Sequence, residues 1–321
     1  MTMNRDLFLA ILAMDSYNRG YGENVSGLAS PGPNGSSGSS IRIGRATILR
    51  DANDAEGVAE AAGFYALAYD LSSAGIDGLS GTVISYRGTN FNINWNPFTF
   101  LNSPIISDVI SGWSVGVGLP GQQAALALDF YNAVAPGNGD PRDANITTTG
   151  HSLGGGLAGF AANVFNREAV LFDHMPYTPI SATLEAYLDA RARWFGGEEI
   201  WEFSDEGVSA HSADGEVLSY YRGLYSSEPN DPIASQGNLG PVQLHSMALL
   251  VSLMWALENT EAEWQSAGTQ LWNGFFDEKI AKALPGIVDR VGAGGDELAV
   301  LQAAIAYSAL AALMHQGVSE R

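Results

Sequence analysis

Residues 146–160 read "ITTTGHSLGGGLAGF". Ile146 and the threonines after it are β-branched and suit a strand, whereas Leu157, Ala158, Phe160 and Ala161 suit a helix. Between the two stands Ser152, framed by Gly150 and Gly154 in a G-x-S-x-G pattern. A serine on a sharp strand-to-helix turn, exposed by small neighbours, is the setting of a nucleophile. With 38 glycines in the chain, an ordinary glycine-rich turn could carry the same letters. Context favours the functional reading: the match is single, follows the β-branched run directly and opens a helix at once. Gly154, Gly155 and Gly156 strip that helix's first turn of side chains, so it can pack closely. A helix start also leaves backbone N–H groups unpaired and aimed at whatever the serine attacks.

Working outward, strand-like runs occur at "ATILR" (46–50), "GFYALAYDL" (63–71), "GTVISYRGT" (81–89) and "EAVLFD" (168–173). A further strand is expected within 200–213. Helical spacing is read over 4–16, with polar residues to either side, over "QQAALALDFYNAV" (122–134) and near 182–194. From His245 onward nearly everything reads as helix. Strands alternating with helices predict an α/β fold with a mostly parallel central sheet and helices on both faces. The expectation is one domain over 1–321 with a helical C-terminal extension at 246–321.

Composition bounds the function. The 321 residues carry a net charge of −20, which argues against nucleic acid and anionic membrane surfaces as partners, because phosphate contacts need clustered Lys and Arg. The chain has no cysteine, so disulfides, thiolate metal sites and cysteine nucleophiles are excluded together. No run of eighteen uncharged apolar residues suggests a membrane span. The apolar run Leu7–Met14 lacks a basic lead and a cleavage site, so it reads as a helix rather than a signal peptide. Location in the cytoplasm, or export by a route needing no such signal, is the matching expectation.

A serine nucleophile needs a base. Of the five histidines, His151 flanks the serine and reads as a packing residue, and His315 as a helix-end residue. His174 follows a strand but would break the chain order serine, acid, histidine. His245 opens a helix after the loop "SQGNLGPVQL", on the side where loops carry function, and is preferred to His211. The acid is sought between Ser152 and His245, just past a strand, where it can hold the imidazole tautomer. Asp205 lies in an acidic patch and Asp231 in "PNDPI" reads as turn chemistry. Asp214 and Glu216 lead, and pattern alone does not separate them.

"VISYRGTN" (83–90) together with "GHSLGGGLA" (150–158) resembles the class 3 lipases of the α/β-hydrolase superfamily. In that family an apolar strand ends in Arg-Gly-Ser/Thr upstream of G-H-S-L-G, and here Thr89 stands 63 residues before Ser152. The resemblance implies that Ser152 is the nucleophile and that Thr89 and Leu153 supply the oxyanion N–H groups. It implies Glu216 as the acid through "GEVLS" (215–219), a glutamate in place of the usual aspartate, with Asp214 the alternative. It also implies a lid, and 90–113 is rich in Phe, Trp and Ile. The function expected is hydrolysis of a carboxylic ester or lipid substrate through a Ser152–Glu216–His245 triad and an acyl-enzyme, with no metal and no organic cofactor. A hydrolase-like fold serving as a binding or interaction module is the rival reading. The matched serine, acid and histidine candidates and the Arg-Gly-Thr segment weigh against it. "GVGLPG" (116–121) and "GAGGDELAV" (292–300) are set aside as a dinucleotide site and a calcium repeat, because the first lacks its acidic partner and the second its further copies.

Overall fold

A computed structural model of the protein describes residues 4–18, 42–43, 46–52, 58–72, 74–88, 121–137, 139–178, 181–196, 206–223, 228–233, 245, 247, 250–251 and 254. Thr89, the lid candidate 90–113, Asp205, most of the 246–321 extension and both set-aside glycine motifs, apart from Gly121, lie outside them.

The strands are β1 (Arg42–Ile43), β2 (Ala46–Asp51), β3 (Ala66–Asp70), β4 (Thr82–Tyr86), β5 (Ile146–His151), β6 (Ala169–Phe172), β7 (Val208–Ala213) and β8 (Asp231–Ile233). Among the described residues they form one eight-stranded sheet in the order in which they occur in the chain. β1 to β4 pair antiparallel, and β4 to β8 run parallel to one another. The helices are α1 (Arg5–Asp15), α2 (Val58–Ala61), α3 (Gly121–Val134), α4 (Leu153–Phe165), α5 (Ser181–Trp194) and α6 (Ser219–Arg222). Among the described residues no helix is long and apolar enough to cross a membrane.

Period-two alternation sends neighbouring strand residues to opposite faces, and both faces are covered. Ala66, Ala68, Ile84, Ala169 and Leu171 pack under α3, α4 and α5. Leu67, Tyr69, Val83, Val170 and Phe172 pack against α1 and against Met247, Leu250, Val251 and Met254. Those last four recur at helical spacing, so the start of the expected C-terminal extension buries one face on the sheet. The threonines of β5 are buried. Thr148 donates to Ala158 O at 3.0 Å and Thr149 to Val170 O at 2.8 Å, so these two β-branched polar residues fill a core strand without orphaned hydroxyls.

Two sequence expectations are corrected. Residues 4–16 do form a helix, but Leu7–Asp15 are buried on every side rather than along one stripe. Asp231 is not in a turn: Asp231–Ile233 is strand β8, at the edge of the sheet among the described residues. Three residues are too few to show a period, and Pro232 is tolerated because an edge strand can leave one side unpaired.

Candidate active site

The turn after β5 is built by close approach. Ser152 has φ 58° and ψ −127°, a region sparsely populated by residues with a Cβ and costing of order 1–3 kcal/mol. Its backbone holds it there: the N–H donates to Phe172 O at 3.0 Å, and its carbonyl accepts from Gly156 at 3.1 Å and Met175 at 3.0 Å. A Cβ on Gly150 would stand 2.7 Å from Tyr86 O, and one on Gly154 would stand 2.7 Å from Arg87 C. A Cβ on Gly155 would stand 2.7 Å from that of His174. The glycines are thus required by helix-to-strand packing, and G-x-S-x-G is the sequence trace of it.

The exit of β4 passes beside the serine. A Cβ on Gly88 would lie 3.2 Å from Ser152 Cβ and 2.7 Å from His151 O. Arg87 is buried with its guanidinium 4.4 Å from the Tyr65 ring centroid, so the arginine of Arg-Gly-Thr packs inside the protein. Thr89 follows, outside the described residues. Leu153 is the first residue of α4, where an N–H has no partner within its own helix.

At the far end of β7 the chain turns through Asp214 and Gly215, the latter at φ 78°. Glu216 N then donates to Ala213 O at 3.1 Å, and the Glu216 carboxylate points inward, 1% exposed. Glu216 Oε2 lies 2.6 Å from His245 Nδ1 and accepts from Leu218 N at 2.8 Å. Glu216 Oε1 accepts from Arg222 Nη2. His245 Nε2 in turn lies 2.9 Å from Ser152 Oγ. A carboxylate can only accept, so Nδ1 carries the hydrogen and Nε2 turns its lone pair to the serine hydroxyl. Asp214 is exposed, and its N–H is bonded to Ile233 O at 2.9 Å. Burial pushes the Glu216 carboxyl up. The hydrogen bond and charge of His245, then Arg222 and the Leu218 N–H, outweigh it and hold the group below its ordinary value.

The remaining described histidines have other partners. His151 Nδ1 lies 3.0 Å from Tyr17 Oη, which accepts from Gly88 N at 3.1 Å. The His151 ring centroid stands 4.8 Å from that of His245, so the residue read as packing also backs the imidazole. His174 is fully buried, 3.4 Å from Glu228, and His211 Nε2 lies 2.9 Å from Asp6 Oδ2. Burial pushes His151 and His174 down, opposed by Asp173 and Glu228 respectively. Among the described residues His151, Asp173 and His245 offer ligand atoms within 4.8 Å of one another. Both His245 nitrogens are engaged with Ser152 and Glu216, so this set fits a resident metal poorly. Sequence reasoning missed Arg222 and Tyr17, because no local pattern ties either to Ser152.

Ser152, His245 and Glu216 thus stand in series on an α/β sheet whose parallel half carries the serine and the carboxylate. Over residues 45–268 the chain matches the family model of the Tle-like phospholipase domain, described as phospholipase-like. The chain belongs to that family. The two sequence motifs point towards class 3 lipases; the family model instead supports a lipase or phospholipase family in the wider sense. A search of curated proteins finds no match.

Proposed function

We propose that the protein is a serine carboxylic-ester hydrolase of the α/β-hydrolase type, related in mechanism to class 3 lipases, whose substrates are lipid esters, phospholipids first among them. The observation that carries this is Ser152 Oγ on a strained turn, 2.9 Å from His245 Nε2, whose Nδ1 lies 2.6 Å from a buried Glu216. Membership of a phospholipase-like family supports the lipid substrate.

Ser152 Oγ attacks the ester carbonyl carbon and its proton passes to His245 Nε2. Negative charge collects on the carbonyl oxygen, met by the N–H groups of Leu153 and Thr89. The carbon–oxygen bond to the alcohol breaks and His245 protonates the departing oxygen, leaving an acyl-enzyme. Water then attacks the acyl carbon and gives its proton to His245, the bond from that carbon to Ser152 Oγ breaks, and His245 returns the proton to Oγ, releasing the fatty acid with Ser152 restored. Glu216 stays ionised throughout and stabilises the imidazolium.

Fluorophosphonate labelling and hydrolysis of a phospholipid, a triglyceride and a p-nitrophenyl ester series test the reading with wild-type and Ser152→Ala protein. Labelling should vanish and kcat should drop by about 10³-fold or more in the variant. Retained turnover in pure Ser152→Ala protein, or no ester hydrolysis by wild-type, would sink it.

A further inference from the structure

The seven residues from Glu216 to Arg222 form a tight knot. Glu216 O accepts from Ser219 N at 3.1 Å and from Ser219 Oγ at 2.6 Å. Arg222 N then donates to Leu218 O at 3.0 Å, closing the single turn of α6. This turn brings the Arg222 side chain, only 3% exposed, back against the carboxylate six residues before it. Nη2 donates to Glu216 Oε1, and Nη1 donates to His174 O at 2.9 Å. The two carboxylate oxygens therefore have separate duties: Oε1 faces the guanidinium, and Oε2 faces His245 Nδ1 and the Leu218 N–H.

We propose that Arg222 is a positioning residue for the Ser152–His245–Glu216 series, pinning Glu216 Oε1 so that Oε2 meets the imidazole and setting the pH at which the carboxylate–imidazole pair takes up a proton. This rests on the hydrolase reading of the same site. A buried carboxylate beside a neutral imidazole leaves a net negative charge out of water, and a guanidinium, charged at every accessible pH, cancels it. Its planar fork suits two acceptors at once, here a carboxylate oxygen and a carbonyl.

The groups facing the pair set the sign. Glu216 faces His245, Arg222 and the Leu218 N–H; His245 faces Ser152, Glu216 and the His151 ring, behind which stand Tyr17 and Asp173. Arg222 also holds the carbonyl of His174, whose ring faces Glu228. Removing one positive charge from this set favours adding a proton to the pair, whichever member receives it.

The test uses the full chain as wild type, Arg222→Gln and Arg222→Lys. Three readouts are taken: the acid limb of kcat/KM, the pH dependence of Ser152 labelling, and the imidazole titration in 13C-histidine-labelled protein, with the His245 signal assigned by His245→Gln. In Arg222→Gln the midpoint should rise by about one pH unit and kcat fall by roughly tenfold or more, with KM within about threefold. Arg222→Lys keeps the charge without the fork, so its midpoint should stay within a few tenths of wild type while kcat still falls several-fold. A folded Arg222→Gln with wild-type midpoint and kcat overturns the proposal. If that variant does not fold, Arg222→Lys decides. A lowered kcat at an unmoved midpoint supports the proposal; a wild-type kcat or a moved midpoint overturns it. Should wild-type Ser152 neither label nor turn over, the hydrolase reading fails separately. The NMR midpoint then still reports whether Arg222 sets the proton affinity, and an unmoved midpoint in Arg222→Gln overturns that too.

Discussion

Asp214 and Glu216 stand two residues apart after β7, yet one lies in solvent and the other is shut away 2.6 Å from an imidazole. Residues two apart along a strand share a face, so pattern alone leaves these two equal. The Asp214–Gly215 turn separates them, because Gly215 at φ 78° reverses the chain between them. Glu216→Gln should fold and lose kcat by about 10³–10⁴-fold, since an amide neither fixes the tautomer nor stabilises an imidazolium. Asp214→Asn should stay within about twofold of wild type. Steady-state rates of the two purified variants check this, and the reverse ranking would move the acid to Asp214. The same contrast shows what could be read from residues alone. Ser152 is legible because its turn is made by its immediate neighbours. His245 is legible from chain order and its loop. Arg222 is not, because only the folded knot brings its guanidinium back to Glu216.

At the level of elements, the junction of β5 and α4 shows how a sequence pattern records packing. Gly154 lies against the backbone of β4, and a Cβ there would sit 2.7 Å from Tyr86 C. Backbone on an interior strand has no room to yield. Gly154→Ala should therefore cost about 1–3 kcal/mol by overpacking and lower activity with it, as Ser152 is displaced. Gly137→Ala, where nothing lies within 4 Å of the added carbon, is the matched control and should unfold in urea near the wild-type midpoint. Equal midpoints for the two variants would mean that the junction is looser than its spacing implies. Longer elements such as β5, α3 and α4 show in the sequence because their period runs long enough to read. β8 does not, having three residues and a proline. The burial of α1 is decided by the sheet and by Met247, Leu250, Val251 and Met254, which share its apolar cluster, information that no window of α1 contains.

Over the whole molecule, buried ionisable groups set how the protein responds to acid. His151 and His174 are pushed below their ordinary value of 6.5 first by burial. The unfolded chain therefore binds protons that the folded one refuses, and stability falls as pH drops below about 6.5. Each such histidine contributes a slope of up to about 1.4 kcal/mol per pH unit. Glu216 and Glu228 are held below their ordinary value of 4.5 by their histidine partners and hydrogen bonds, against burial. Their contribution is complete above that value and is lost as pH falls through the folded one. Urea unfolding from pH 8 to pH 4 should show a decline in two stages, and His174→Gln should flatten the first. Constant stability between pH 7.5 and 5.5 would contradict it. The order of the sheet has a consequence in time as well as in space. Because the eight described strands lie side by side in the order they are made, each of them leaving the ribosome joins an open edge, and none of these eight must be wedged between two already in place. Ser152 is synthesised 93 residues before His245, a lag of roughly 5–20 seconds at ordinary translation rates. On the proposed mechanism, the growing chain carries Ser152 through that interval with no imidazole to draw its proton, and the site is complete only once His245 has been made.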